Sequence, residues 1–330
     1  MGLEISGVTF GGGVNIAFDP PPTDGTVGIF ALGSVTGAYT PSATRNKYTY
    51  ATCASTASGV AVASSNSNSG SAAGNSTFGI FAIGYNGSAA SSTRDKYTYA
   101  TCSSTASGVG TASAASQSGA AAGNSTRGIF ALGYAPTASN IRNKYTYACD
   151  TSTASGVATS SGTSVTGAGA GNGTRGIFAL GESNNDYVRI RNKYTYACCT
   201  STACGVAQAS WGTARGSAVG NGTRGIFALG FGFVYSCLLR TQLRDKYTYA
   251  TDTNTSAACA STTNCSGSAA GNSTRGIFAL GITACAGNSP SATRNKYTYS
   301  SDTSTASGVG TASANSTNGA AASWALCVNA

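Results

Sequence analysis

Gly28-Ile29-Phe30-Ala31-Leu32-Gly33 sets a β-branched residue, an aromatic and a leucine between two glycines. Six residues are too few for a stable helix. An apolar run of this length, stopped by glycine at both ends, reads as a short strand buried on both faces. The phrase returns with almost no change at Gly79, Gly128, Gly176, Gly225 and Gly276, so successive starts lie 51, 49, 48, 49 and 51 residues apart. A period of about fifty residues marks a repeat architecture, in which each unit buries its faces only against its neighbours. For a chain of 330 residues this favours one closed repeat structure over two ordinary domains.

Each unit continues in the same order. After the apolar strand comes a loop of variable length, then Arg45-Asn46-Lys47-Tyr48-Thr49-Tyr50, repeated at Arg94, Arg142, Arg191, Arg244 and Arg294. The alternating Tyr-Thr-Tyr predicts a second strand. Ala57-Ser58-Gly59-Val60-Ala61 and its counterparts predict a weaker outer strand. A small-residue stretch such as Gly70-Ser71-Ala72-Ala73-Gly74 leads back through Asn75-Ser76-Thr77 into the next apolar strand, as a fourth. Four strands in about fifty residues is the arithmetic of a propeller blade. The expected fold is all-β, a six-bladed β-propeller of four-stranded antiparallel blades over residues 26–330, preceded by an arm at 1–25 that ends in Pro20-Pro21-Pro22. The first apolar strand has no small-residue strand before it, and the last small-residue strand has no apolar strand after it. Residues 319–328 are therefore expected to complete the first blade. Gly and Ala at the axis predict a narrow or plugged channel.

The order of these pieces resembles the kelch-type repeat over residues 26 to about 327, nearly the whole chain. It is similar above all to the degenerate kelch-like repeats of structural and fibre proteins of tailed bacteriophages and of some bacterial surface proteins, where phrases like NSTRGIFALG and NKYTYAT recur. The paired glycines usual after the second kelch strand are missing, since Gly33 precedes Ser34 and Gly84 precedes Tyr85. Trp211 occurs in one unit only. The resemblance implies a propeller fold and a structural role in a virion or on a cell surface.

Charged residues make up 9% of the chain and hydrophobic ones 41%, so Ser, Thr and Asn must form much of the surface. The regular Ile, Phe, Leu and Tyr exclude a disordered chain. No segment of about twenty apolar residues suggests a membrane span. Met1–Gly7 shows no basic segment leading into an apolar run, which predicts synthesis in a cytoplasm and a route to virion or surface other than a signal peptide. The eleven cysteines are irregularly placed: Cys53 and Cys102 occupy sites held by Asp150, Asp252 and Asp302 in other units. A disulfide framework does not exchange for aspartate, so most read as half-buried thiols, with Cys199–Cys204 and Cys259–Cys265 close enough to bridge a turn.

Nothing in the sequence assembles catalytic chemistry. There is no histidine, Glu4 and Glu182 are the only glutamates, and neither cofactor nor metal is expected. Asp95 and Asp245 read as ion-pair partners. The formal net charge of +9 is patterned, with all six lysines in the Arg-x-Lys motif. On a closed ring, Arg45, Lys47, Arg94, Lys96, Arg142, Lys144, Arg191, Lys193, Arg244, Lys246, Arg294 and Lys296 predict a basic rim for an acidic glycan or partner. The alternative is that each Arg stacks on tyrosine and each Lys guards a strand edge. Arg127, Arg175, Arg224 and Arg275 form a second, structural set. The fifth variable loop is strongly apolar, and Phe231, Phe233, Val234, Tyr235, Leu238 and Leu239 are expected to meet a partner chain or to fold over the ring. Asn124 and Asn172 sit in glycosylation-like triplets that read as tight turns.

These features predict a non-enzymatic structural or adhesion protein, docked to other subunits of a larger assembly, with no nucleic acid among its partners. A lectin-like propeller and an intracellular scaffold are the alternatives.

Overall fold

The computed structural model describes residues 25–35, 40–183, 186–234, 237–283 and 289–323; most of the N-terminal arm, Tyr235 and the segment from 324 onward lie outside them. Among the described residues the chain is all-β without a helix, and six four-stranded antiparallel sheets repeat along it. In the third unit Ala120–Gly123 pairs with Arg127–Ala131, which pairs with Arg142–Thr146, which pairs with Thr151–Thr153. The first unit draws its inner strand from the far end of the chain. Ala320–Ala322 runs antiparallel to Val27–Ala31, with Ile29 opposite Ala322 and Ala31 opposite Ala320.

Adjacent residues of the apolar strand point to opposite faces, and both faces are covered. Ile129, Ala122 and Val157 pack against Phe178, Tyr194 and Tyr196 of the following sheet. Ile277, Ala270 and Val309 of the sixth sheet pack in the same way against Phe30, Tyr48 and Tyr50 of the first. Each junction thus joins an Ile and small residues on one side to a Phe and tyrosines on the other. The first glycine of the strand makes room for this contact: a Cβ on Gly79 would lie 2.8 Å from Ala322 Cβ and 3.0 Å from the Tyr99 hydroxyl.

A chain of backbone bonds crosses all six units just before their inner strands. The amides of Ser118, Thr166, Arg215, Ser266 and Asn318 donate to the carbonyls of Ser69, Ser118, Thr166, Arg215 and Ser266, and Ser69 N donates to Asn318 O, all at 2.7–2.9 Å. These six residues share a left-handed backbone, with φ from 52° to 57°. The Ala and Gly residues of the six inner strands line a cavity of about 90 Å³. Asn75 Oδ1 accepts from the amides of Thr77 and Phe78 at 2.9 and 3.0 Å, and Asn124 and Asn172 repeat this turn before Arg127 and Arg175.

Two sequence expectations are corrected. The outer strand is Ala54–Thr56, not Ala57–Ala61. The Thr56 hydroxyl accepts from the Ser58 amide at 3.0 Å and Gly59 turns left-handed at φ 68°, which ends the strand. The fifth unit has Ala258 where the others have this glycine, and its outer strand runs on to Thr253–Ala257. The apolar stretch of that unit is not a loop. Phe231–Val234 and Cys237–Arg240 form a hairpin, extended by Thr213–Ala214 into three strands, with Phe233 opposite Leu238 and Gly232 opposite Leu239.

Candidate functional site

The arginines of the Arg-x-Lys motif do not form an exposed rim. Arg45, Arg94, Arg142, Arg191 and Arg294 are 1% exposed and Arg244 is 2%. They start the third strand, on the face turned to the following sheet. Arg142 lies 4.7 Å above the Phe178 ring, donating from Nη1 to Ser201 Oγ at 2.7 Å and from Nη2 to Asn192 Oδ1 at 3.3 Å. Arg294 carries the same pattern from the sixth sheet to Phe30, Ser55 and Asn46 of the first. The stacking partner is chiefly the phenylalanine of the apolar strand, closer than the motif's tyrosine: 4.7 against 5.8 Å at Arg45, for Phe81 and Tyr97.

The residue between Arg and Lys divides these sites in two. Asp95 pairs with Arg45 at 2.8 Å and Asp245 with Arg191 at 2.7 Å, both buried. These aspartates are ion-pair partners across a junction, not within their own unit. Arg94, Arg142, Arg244 and Arg294 meet asparagine instead, and burial without a carboxylate lowers each to about 10. Oriented amide, hydroxyl and ring-face partners are what offset the buried charge.

The lysines are half-buried, and Lys47, Lys96, Lys193 and Lys246 also reach across the junction. Lys96, Lys193 and Lys246 pair with Asp150, Asp252 and Asp302, which stand at a left-handed position in the turn after the next unit's tyrosine strand. Each carboxylate also accepts from a tyrosine of its own unit: Tyr145 at 2.8 Å for Asp150, Tyr247 at 2.7 Å for Asp252, and Tyr297 for Asp302. Burial alone would raise Asp252 and Asp302, but the bonds from lysine and tyrosine outweigh it and hold both below the usual carboxylate range. Cys53, Cys102 and Cys199 take this position in the other three units, with Lys47 Nζ 3.8 Å from Cys102 Sγ.

The second arginine set is interfacial too. Arg127, Arg175, Arg224 and Arg275 donate to the carbonyls of Tyr196, Tyr249, Tyr299 and Tyr50 at 2.7–3.0 Å, each in the following unit. Of the apolar residues singled out in the fifth unit, Phe233, Val234, Leu238 and Leu239 belong to the hairpin strands. Phe231 lies between the guanidinium groups of Arg215 and Arg240, at 5.9 and 5.6 Å. Cys199, Cys204, Cys259 and Cys265 are all free thiols.

Sequence reasoning missed the serines that receive the buried arginines: Ser55, Ser104, Ser152, Ser201 and Ser304. Their signal was present, a serine that recurs at the centre of the outer strand in five units, each time followed by threonine. Among the described residues no group of His, Cys, Asp and Glu is placed to hold a metal, and no helix is long and apolar enough to cross a membrane. Compared with protein-family models and with curated proteins, the chain matches none.

Proposed function

We propose that the chain closes into a six-bladed, kelch-like propeller and acts as a non-enzymatic docking protein within a larger assembly. Closure is supported by the amide chain that runs from Ser69 through Asn318 and back to Ser69. The tailed-phage particle or cell surface is the setting proposed from the resemblance of its repeats.

The observation that carries the docking reading is a division of labour inside the repeat. Inner, second and third strands repeat closely, whereas the connection between second and third strands differs in every unit. It pairs Ser34–Val35 with Thr40–Pro41 in the first, Glu182–Ser183 with Asp186–Tyr187 in the fourth, and forms the long hairpin in the fifth. All of these connections leave the same end of their sheets. One end thereby carries six unlike surfaces on a uniform frame, which suits asymmetric contacts with protein partners. The six motif arginines and Lys47, Lys96, Lys193 and Lys246 are engaged across the junctions, which disfavours a glycan site built on them.

Cryo-electron microscopy of the protein isolated from its native source tests this reading. A six-part disc contacting neighbours through the end that carries Phe231–Arg240 is the expected image. Free single discs, together with glycan-array binding that survives replacement of 232–239 by an Asn-Gly turn, would overturn it in favour of the lectin.

A further inference from the structure

The six turns that follow the tyrosine strands form one cradle with two kinds of occupant. In three, the occupant is a carboxylate held by a lysine from the preceding unit and by a tyrosine hydroxyl: Asp150, Asp252 and Asp302. In the other three it is a thiol. Cys53, Cys102 and Cys199 keep the same left-handed backbone and direct Sγ–H at the carbonyls of Tyr50, Tyr99 and Tyr196 at 3.8, 3.8 and 3.9 Å. A cationic donor still reaches each sulfur: Arg275 Nη1 at 3.7 Å, Lys47 Nζ at 3.8 Å and Arg127 Nη1 at 3.9 Å.

The thiols leave the cradle incomplete. The hydroxyls of Tyr48, Tyr97 and Tyr194, the equivalents of those that donate to aspartate, are buried and find no oxygen or nitrogen partner. Each is left with the sulfur of its cysteine as hydrogen-bond partner. Sulfur is a weak acceptor, so a buried hydroxyl is poorly satisfied wherever cysteine replaces aspartate.

We propose that Cys53, Cys102 and Cys199 are sites of oxidation by hydrogen peroxide, and that the cradle directs the product to sulfinate, the sulfur counterpart of a carboxylate. In the first step the sulfur lone pair attacks one oxygen of hydrogen peroxide; the O–O bond breaks, an S–O bond forms, and the departing hydroxide takes the thiol proton and leaves as water, giving sulfenic acid. A second hydrogen peroxide is reduced to water in the same way, giving sulfinic acid, which passes its proton to solvent. Each step oxidises sulfur by two electrons and reduces one peroxide to water. The resulting anion offers two oxygens, one for the tyrosine hydroxyl and one for the lysine or arginine, as the aspartates do. All three cysteines are half-buried residues rather than fully enclosed ones.

Peptide mass spectrometry after hydrogen peroxide treatment, with remaining thiols alkylated, reads the outcome. Sulfinate is expected at Cys53, Cys102 and Cys199 about tenfold ahead of the exposed Cys204 and Cys259, the ratio that one charge-assisted hydrogen bond supports. Tyr97→Phe should slow sulfinate formation at Cys102 and leave Cys53 and Cys199 unchanged. Oxidation should raise the melting temperature, as should Cys102→Asp without peroxide. Sulfinate forming no faster at the three sites than at Cys259, mixed disulfides in its place, or a lower melting temperature for both oxidised protein and Cys102→Asp would overturn the proposal.

Discussion

The amide of Ser69 donates to the carbonyl of Asn318 at 2.8 Å, in the same series of bonds that links Ser118 to Ser69 and Asn318 to Ser266. The last strand among the described residues lies directly beyond, with Ala321 opposite Phe30. First and last units therefore depend on a contact formed from opposite ends of the sequence. Such non-local pairing is slow to form but protects the edge strand once made.

Truncation after Asn318 tests that dependence. It removes the strand opposite Ile29–Ala31 and bares the apolar faces of the first unit. The loss of its ladder bonds and of buried alanine methyls should cost on the order of 3–5 kcal/mol. Urea unfolding should show a lower midpoint, and hydrogen exchange should speed up first in residues 27–31. Exchange unchanged in that strand would show that the contact contributes nothing.

The split between aspartate and asparagine beside the buried arginines gives a second test. Asn143 accepts from Arg94 Nη2 at 3.2 Å and from Ser113 N at 2.9 Å, and donates to the rotatable Ser113 hydroxyl. Asp245 takes the equivalent three bonds, with Ser210 Oγ donating instead. Asn143→Asp should therefore be accepted without rearrangement and stabilise by about 1 kcal/mol, because Arg94 gains a counter-charge. Asp95→Ala should cost about 3–5 kcal/mol by leaving Arg45 buried and unpaired. Thermal unfolding of both variants checks the signs.

These junctions show what the sequence could and could not disclose. Period and strand order were legible because glycine-bounded apolar runs and the Tyr-Thr-Tyr alternation depend on local geometry. The fate of Arg45 and its counterparts was not, because Arg-x-Lys reads alike on an exposed rim and in a buried junction. What buries it is Phe81 and Ser104 of the next unit, about fifty residues away. The Asp-for-Cys exchange was visible along the chain, but its meaning required the tyrosine hydroxyl that faces it.

Alkaline pH should unfold the protein. Burial is the largest cause that raises Tyr48, Tyr97, Tyr99, Tyr145, Tyr147, Tyr194, Tyr247 and Tyr297 well above 10.0. The unfolded chain releases these protons near 10 while the folded one keeps them, so stability falls as pH rises past that point. The four arginines lowered to about 10 act in the opposite sense, since above 10 the unfolded chain holds their protons more tightly. Eight tyrosines outweigh them. Most of the tyrosinate absorbance should appear together with loss of the β circular-dichroism signal; most of it rising near pH 10 while that signal stays intact would contradict this.

Glycine serves two separable purposes in the repeat, and alanine substitution should tell them apart. Gly59 has φ 68° and nothing within 4 Å of a Cβ, so Gly59→Ala carries only the cost of a left-handed alanine, about 1 kcal/mol. Gly59→Asn should recover part of it, because asparagine tolerates that conformation. At Gly276 a Cβ would stand 2.5 Å from Val219 Cγ1 of the preceding unit, and the clash lies between closely packed strands. Gly276→Ala should cost about 1–3 kcal/mol, with asparagine worse than alanine. Restoring room by Val219→Ala, the residue type found at this position in most other units, should rescue Gly276→Ala but not Gly59→Ala. Equal effects of that second change on both variants would mean that the junction does not set the spacing of the sheets.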